Sequence, residues 1–126
     1  MTQEDKQLLL IDLCGRLPYG VKCVSGVDDA TLIIEGINPN CCGASEVQVT
    51  YEKSGINFDT TISAIKPYLF PKSSMTVKQR DSYRFLASSA YASPVGLINF
   101  YHKNHIDYKG LIPKGLAIDA TGLNIY

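Results

Sequence analysis

Two histidines and an aspartate late in the sequence are the side chains best suited to chemistry. His102 and His105 are the only histidines of the chain, and Asp107 follows them in the stretch HKNHID. The three-residue spacing would place both imidazoles on one face of a continuing helix, which can begin a zinc site. Zinc takes four ligands, or three and a water, and the sequence does not fix the remaining ligands. A metal site at His102 and His105 is therefore kept as an alternative.

The cysteines raise the question of a thiol enzyme. A cysteine nucleophile needs an accessible thiolate and a base within hydrogen-bond reach. Cys41 and Cys42 fall in a predicted loop, and His105 could supply the base, but nothing in the sequence brings them together. Cys14 and Cys23 are predicted to be small buried apolar residues, and all four thiols are expected to be reduced. A zinc- or thiol-dependent enzyme that uses the two histidines is the second alternative function.

A structural role explains the histidines more simply. Both of them, with Lys103, fall at the predicted carboxyl end of a helix, where cationic side chains meet the negative end of the dipole and unpaired carbonyls. His105 is then expected to donate a hydrogen bond to a backbone carbonyl or to Asp107. We therefore predict no catalytic residue and no cofactor, and a protein without enzymatic activity is expected over an enzyme.

The first of three predicted helices spans about residues 2–16. Thr2 and Asp5 favour a helix start, and Pro18 ends the helix because proline lacks the backbone N–H that a helix needs. Apolar residues recur at three- and four-residue spacing along it. The predicted buried stripe is Leu10, Leu13, Cys14 and Leu17.

Two further helices are predicted in the second half of the chain. The second starts at a capping box formed by Thr76 and Gln79. Its predicted buried stripe is Tyr83, Leu86, Ala87 and Ala90. The third starts at Ser93 and Pro94, with proline at the first helical position, and ends near residues 103–104. Its predicted inner face is Leu97, Ile98 and Tyr101.

Three or four strands are predicted between the first two helices. VKCVSG is typical of a short strand, and TLIIEGI of a central strand that is covered on both faces. In EVQVTYEKSGINFDTTI, apolar and polar residues alternate on either side of Gly55, which predicts a hairpin with one dry face. KPYLFPKSSM carries two prolines that cannot donate hydrogen bonds, so it is predicted to be an extended connector.

These elements predict an α+β fold, with three helices packed on a small, mostly antiparallel sheet of three to four strands. A length of 126 residues without a repeat or a linker favours a single globular domain over residues 1–126. No segment reaches the roughly 20 apolar residues of a membrane span, and MTQEDKQLLLID lacks the basic start and long apolar centre of a signal peptide. We expect a cytoplasmic protein without membrane contact.

The charge balance bears on nucleic-acid binding. Twelve basic and twelve acidic residues give a formal net charge of zero, whereas nucleic-acid-binding proteins usually carry a basic excess. A local basic run interleaved with aromatic residues could still stack bases and contact phosphates. It comprises Lys66, Lys72, Lys78, Arg80 and Arg84. Nucleic-acid binding through residues 66–84 is therefore the first alternative function.

Aromatic residues outside the predicted core favour a protein partner. The chain has eight tyrosines and no tryptophan, and tyrosine in loops supplies broad contact area at low entropic cost. The candidate partner-binding residues are Tyr19, Pro67, Tyr68, Phe70 and Tyr108. Contact with a partner protein is the preferred function. Self-association is also open, because the stretch TGLNIY could add an edge strand to a neighbouring copy.

Three stretches of the sequence resemble a known family. DLCGRLPYGVK (12–22), KPYLFPKSSMT (66–76) and HIDYKGLIPKGLAIDATGLNIY (105–126) are similar to motifs of short uncharacterised proteins from gut bacterial genomes, their prophages and related mobile elements. The family form of the last motif usually carries Phe and Arg where this chain has Ile106 and Lys109. The resemblance implies no activity, cofactor or catalytic residue. It implies a cytoplasmic accessory protein of a phage or mobile element that could inhibit or modulate a host factor.

Overall fold

The computed structural model of the chain describes residues 2–38, 46–88 and 94–126. These residues form three α-helices, which are α1 (Gln3–Arg16), α2 (Val77–Ser88) and α3 (Pro94–Lys103). They also form the strands β1 (Lys22–Ser25), β2 (Thr31–Ile37), β3 (Val47–Tyr51), β4 (Asn57–Thr60), β5 (Ile65–Pro71), β6 (Ile106–Asp107) and β7 (Ile118–Asp119). Four residues with a predicted role lie outside the described residues: Cys41, Cys42, Ala90 and Ser93.

The strands form one mixed sheet in the order β4-β3-β2-β1-β5-β6, with β7 also paired to β5. The pairs that link β4, β3, β2, β1 and β5 are antiparallel, and β6 and β7 run parallel to β5. The α+β class with three helices is confirmed. The predicted sheet of three to four strands is too small, because the sequence reading left out β5, β6 and β7.

Strand β5 corrects the prediction of an extended connector at residues 66–75. It pairs with β1 as well as with β6 and β7, so it lies inside the sheet. The backbone N–H of Phe70 donates to the carbonyl oxygen of His105 at 2.8 Å. A strand needs donors towards a given neighbour only at alternate residues, so β5 accommodates Pro67 and Pro71. Strands β6 and β7 have two residues each, too few to show an alternating pattern.

Helix α1 begins where the sequence predicts, because the Thr2 hydroxyl oxygen accepts a hydrogen bond from the backbone N–H of Asp5 at 3.1 Å. Its buried face differs from the predicted stripe. Buried residues of α1 are Leu9, Asp12, Leu13 and Arg16. Cys14 is exposed, so the prediction that it is buried is wrong, whereas Cys23 is buried as predicted. The stripe is displaced because the side chains of Asp12 and Arg16 pair with each other in the interior.

The hydrophobic core lies between α1 and one face of the sheet. Leu9 and Leu13 from α1 meet buried side chains of the central strands; the strand residues are Cys23, Leu32, Ile34, Val47, Val49, Ile65 and Leu69. Half-buried and buried residues alternate over residues 31–34 of β2, and Glu35 is exposed, so its two faces are not both covered as predicted. The β3–β4 hairpin is confirmed, and Gly55 has a φ of +74° in its turn.

Helices α2 and α3 form an antiparallel pair. The predicted capping box is confirmed, since the backbone N–H groups of Thr76 and Gln79 each donate to the other residue's side chain, at 3.0 and 3.1 Å. The Gln79 amide contacts the Asn104 side chain at 3.2 Å, and the Tyr83 ring lies 6.2 Å from that of Tyr101. The two helices therefore run in opposite directions, with the start of α2 beside the end of α3.

The predicted buried stripe of α2 is wrong. No described residue of α2 is buried; Tyr83 and Leu86 are half-buried and Ala87 is exposed. The helix packs mainly against α3, so it has one partly covered face and otherwise meets solvent. Over residues 2–38, 46–88 and 94–126, none of the helices is long and apolar enough to span a bilayer.

Candidate functional site: the histidine segment and the helix pair

His102 lies in the last turn of α3 and is buried against α1. Its Nε2 atom is 2.9 Å from the hydroxyl oxygen of Tyr108. The imidazole occupies the space beside Gly15 that a side chain there would fill. Burial lowers the pKa of His102, and the positive charge of Arg16 lowers it further. The ring is therefore held neutral, and it packs α3 onto α1.

His105 follows the end of α3 in a left-handed conformation, with a φ of +56°. Its ring stacks on that of Tyr126, with the centroids 3.7 Å apart and the planes 11° from parallel. Burial, followed by the charges of Arg16 and Lys22, lowers the pKa of His105 to about 4. The prediction that cationic histidines meet the helix dipole is therefore wrong for both rings, because burial keeps them uncharged.

Asp107 closes the turn after β6 instead of contacting a histidine. Its two carboxylate oxygens accept hydrogen bonds from the backbone N–H groups of Leu111 and Ile112, each at 2.9 Å. The Nδ1 atom of His105 is buried without a hydrogen-bond partner among the described residues. The predicted hydrogen bond from His105 to Asp107 or to a carbonyl is therefore not formed through Nδ1.

A buried ion pair, which the sequence analysis missed, joins α1 to this segment. The Arg16 Nε atom donates to Asp12 at 2.7 Å, and Nη2 donates to the carbonyl oxygen of Ile106 at 2.7 Å. Both side chains are fully buried, and the guanidinium carbon lies 5.6 Å from the Tyr108 ring centroid. The available signal was an acid four residues before an arginine on an otherwise apolar helix face.

Tyr126 covers His105 and ties the last segment to the sheet. Its hydroxyl oxygen accepts from the backbone N–H of Lys22 at 2.9 Å and donates to the carbonyl oxygen of Tyr68 at 2.8 Å. The Lys22 ammonium donates to the carbonyl of Ile125 at 2.9 Å. The imidazole of His105 is therefore enclosed by protein on the Tyr126 side.

The described residues do not bring a third ligand to the histidines. Among them, no group of three or more His, Cys, Asp or Glu side chains is arranged to hold a metal ion. Burial raises the pKa of the Cys23 thiol to about 12, which disfavours its thiolate. Cys14 is exposed on α1, and Cys41 and Cys42 lie outside the described residues.

The five predicted partner-binding residues do not form one surface. Tyr19 is exposed after α1, whereas Pro67 and Tyr68 are buried in β5. Phe70 is half-buried and packs on the Tyr126 ring, with centroids 5.9 Å apart, and Tyr108 is half-buried beside His102. Because they are buried, the side chains of Pro67 and Tyr68 are not available to a partner.

The five predicted nucleic-acid residues fall into separate groups. Lys66 is exposed on β5, and the Lys72 ammonium lies 5.4 Å from the ring centroid of Tyr101. On a helix of 3.6 residues per turn, Lys78 lies on one flank of α2 and Arg80 and Arg84 lie on the other. The basic residues that were predicted to form one nucleic-acid-binding run therefore face several directions.

A shallow groove of about 420 Å³ runs between α2 and α3. Lys78 and Ser82 line it from α2, and Phe100 and Lys103 line it from α3. Phe85 lies seven residues after Lys78, and so on the same flank of α2, and its exposed fraction is 71%. We call these five residues the groove surface. The sequence analysis missed it because neither Phe85 nor Phe100 falls in a predicted buried stripe or in a predicted site.

Comparison with protein-family models, with curated proteins and with solved structures finds no match to this chain.

Proposed function

We propose that the protein is a small non-enzymatic binding protein that contacts a partner protein through the α2–α3 helix pair. The observation that carries this proposal is the exposure of large apolar side chains on both helices. Phe85 of α2 is 71% exposed, and Val95 and Ile98 of α3 are also exposed. Aromatic residues commonly dominate the binding energy of protein interfaces, so the exposed Phe85 ring is the candidate anchor.

The packing of α2 supports the same proposal. A helix is usually stabilised by burying an apolar face against a core, yet no described residue of α2 is buried. Tyr83 and Leu86 are half-buried, which leaves Val77 and Phe85 in solvent. A partner that covered Phe85 would remove apolar area from water, which is favourable at roughly 25 cal/mol per Å².

The environment of the two imidazoles favours a binding protein over an enzyme. A general base must come within hydrogen-bond reach of the proton that it removes. The Nε2 atom of His102 is engaged by Tyr108, and the Nδ1 atom of His105 is buried beneath the Tyr126 ring. Both rings serve the packing of α1, α3 and the last segment in this arrangement.

We include a biological context in the proposal because of the three family-like motifs. The protein would be a cytoplasmic accessory protein of a phage or mobile element, and the partner would be a host factor that it inhibits or modulates. The resemblance implies no catalytic residue, so this context agrees with a stoichiometric binder. The context and the contact surface are independent parts of the proposal.

Quantitative affinity capture with matched variants tests the surface. Phe85→Ser removes an exposed apolar side chain from α2, and Ile56→Ser removes one of similar exposure, 62%, from the β3–β4 turn. We expect the wild type and Ile56→Ser to recover one partner in stoichiometric amount and Phe85→Ser to lose it. Recovery of no stoichiometric partner, or equal recovery by the two variants, would contradict the proposal.

Nucleic-acid binding is the second candidate function, favoured by one grouping of cations. The Arg80 guanidinium reaches the carbonyl oxygen of Ser73 at 3.4 Å, beside Lys72, and Arg84 lies one helical turn further on. Phosphate contacts make affinity fall steeply as salt rises. A single-stranded oligonucleotide that binds at low salt, and loses affinity in Arg80→Glu/Arg84→Glu, would support it. The absence of binding at low salt would rule it out.

A further inference from the structure

Charge in this chain is strongly segregated. Residues 66–114 hold eight of the twelve basic residues and only two of the twelve acidic ones, Asp81 and Asp107. Asp107 is engaged by two backbone N–H groups. Every charged residue of the chain lies in the described segments. The helix pair and the loop after it are therefore basic, and the strands β2, β3 and β4 with their turns are acidic, although the net charge is zero.

The groove surface lies within the basic part. Lys78 and Lys103 line the groove from opposite helices, and no carboxylate is among its described lining residues. Neither lysine has an ion-pair partner among the residues that the structure describes. Two lysines at one groove attract an anionic group to it, most strongly at low salt. Asp81, three residues after Lys78 on α2, offsets part of their charge.

The apolar residues of the groove surface indicate that a partner would place an apolar side chain there. Phe100 is half-buried at the groove, and Phe85 extends the same flank of α2 beyond Ser82. Since Gln79 contacts Asn104, Lys78 and Lys103 lie at one end of the groove surface, and Phe85 lies about two helical turns from Lys78. The surface therefore has a charged end and an apolar end. A volume of about 420 Å³ is within the range of sites that hold a small ligand or a few side chains.

We infer that the groove surface binds an acidic protein segment, in which an apolar side chain packs on Phe85 and Phe100 and carboxylates on one side of it pair with Lys78 and Lys103. The inference rests on the proposed function and assigns the partner's chemistry. It goes beyond that function because exposed apolar residues alone do not fix the charge of the partner. The lysine contacts act mainly on specificity and on the rate of association.

A nucleic acid fits the groove surface less well. Single-stranded nucleic acids need a continuous track of cations and free aromatic faces for base stacking. Arg80 and Arg84 lie on the opposite flank of α2 from the groove, so they cannot extend the track begun by Lys78. The Phe100 ring already contacts those of Tyr83 and Tyr101, with centroids 6.5 and 5.9 Å apart.

Three probes of equal length test the inference on the full chain by fluorescence anisotropy. One is a peptide with a leucine beside a run of glutamates, the second carries lysines in place of the glutamates, and the third is a single-stranded oligo-dT. We expect the acidic peptide to bind at low ionic strength, more weakly at physiological ionic strength, and the lysine peptide not to bind. Tighter binding of oligo-dT than of the acidic peptide would overturn the inference.

Two double variants with the same change in net charge locate the contact. Lys78→Glu/Lys103→Glu reverses the groove lysines, and Lys53→Glu/Lys114→Glu reverses two exposed lysines in turns away from it. We expect the groove variant to weaken peptide binding at least about tenfold, because like charges repel across an interface, and the control variant to bind within about twofold. Circular dichroism checks that both variants are folded. Equal loss in the two variants would overturn the inference.

Failure of the inference and failure of the proposed function give different results. If the acidic peptide does not bind but Phe85→Ser still loses a captured partner, the helix pair is the contact surface and the acidic class is wrong. If the captured partner is a second copy of this chain, the occupant is the chain's own acidic strand region, which overturns the assignment to another protein. If the substitutions reduce neither peptide binding nor partner capture, both the inference and the proposed function are wrong.

Discussion

The imidazole of His102 occupies the space that a side chain at Gly15 would fill, so one glycine of α1 lets the end of α3 pack against that helix. The ring cannot withdraw freely, because it is buried and its Nε2 atom contacts the Tyr108 hydroxyl. This contact and the Asp12–Arg16 ion pair hold the histidine segment on α1. The space that the His102 ring needs explains why α1 contains a glycine, which ordinarily lowers the stability of a helix.

Gly15→Ala is expected to destabilise the protein by about 1–3 kcal/mol. Alanine ordinarily stabilises a helix by about 1 kcal/mol over glycine, but the added methyl group would collide with His102, and overpacking costs more than that gain. Urea unfolding measures the difference. In a His102→Ala background the same substitution is expected to be neutral or stabilising, and a Gly15→Ala protein as stable as the wild type would show that His102 moves aside without cost.

Asp12→Asn is expected to cost about 3–5 kcal/mol in the free energy of unfolding. The change leaves the buried Arg16 charge without its counter-charge, which is more costly than the loss of a surface ion pair. Replacing both residues together, by Asp12→Leu and Arg16→Met, should cost less than Asp12→Asn alone. A loss below about 1 kcal/mol for Asp12→Asn would mean that Arg16 finds water or another partner.

Tyr126→Phe is expected to cost about 0.5–1.5 kcal/mol, the usual net contribution of a hydrogen bond that water can partly replace. The variant keeps the stacking on His105 but removes the hydroxyl that joins the Lys22 N–H to the Tyr68 carbonyl. Tyr19→Phe is the matched control, because the Tyr19 side chain is exposed. Equal stability of the two variants in thermal unfolding would contradict the role assigned to Tyr126.

His105 is expected to make the protein less stable as the pH falls from about 6.5 to about 4. Its pKa is about 4 in the folded protein and near 6.5 in an unfolded chain, so the unfolded state binds the proton first. Stability should fall by about 1 kcal/mol per pH unit within this window and level off below it. His105→Asn, which tolerates the left-handed backbone, should show a shallower slope. Identical slopes would show that the imidazole titrates normally.

The parts of the fold that could be read from the sequence are those that local chemistry decides. The Thr2 cap, the Thr76–Gln79 capping box and the β3–β4 hairpin with Gly55 depend on neighbours within a few residues, and each is confirmed. Strands β5, β6 and β7 depend on partners far along the chain. Proline content and a length of two residues hide such strands from any local pattern.

The errors about side-chain placement share a different cause. Patterns of apolar spacing treat charged residues as exposed, so the burial of Asp12 and Arg16 was not predicted and the α1 stripe was displaced to Cys14. The same patterns treat apolar residues as buried, which led to the wrong prediction of a buried stripe on α2. The histidines were correctly placed at the end of a helix, but their neutral state follows from burial that only the folded chain supplies.

Amide hydrogen exchange of the protein, alone and with its captured partner, tests the location of the binding surface most directly. The proposal predicts slower exchange on binding in α2 and α3, with little change in the β3–β4 hairpin. Slowing confined to that hairpin or to the turn around Tyr19, with α2 and α3 unaffected, would contradict it.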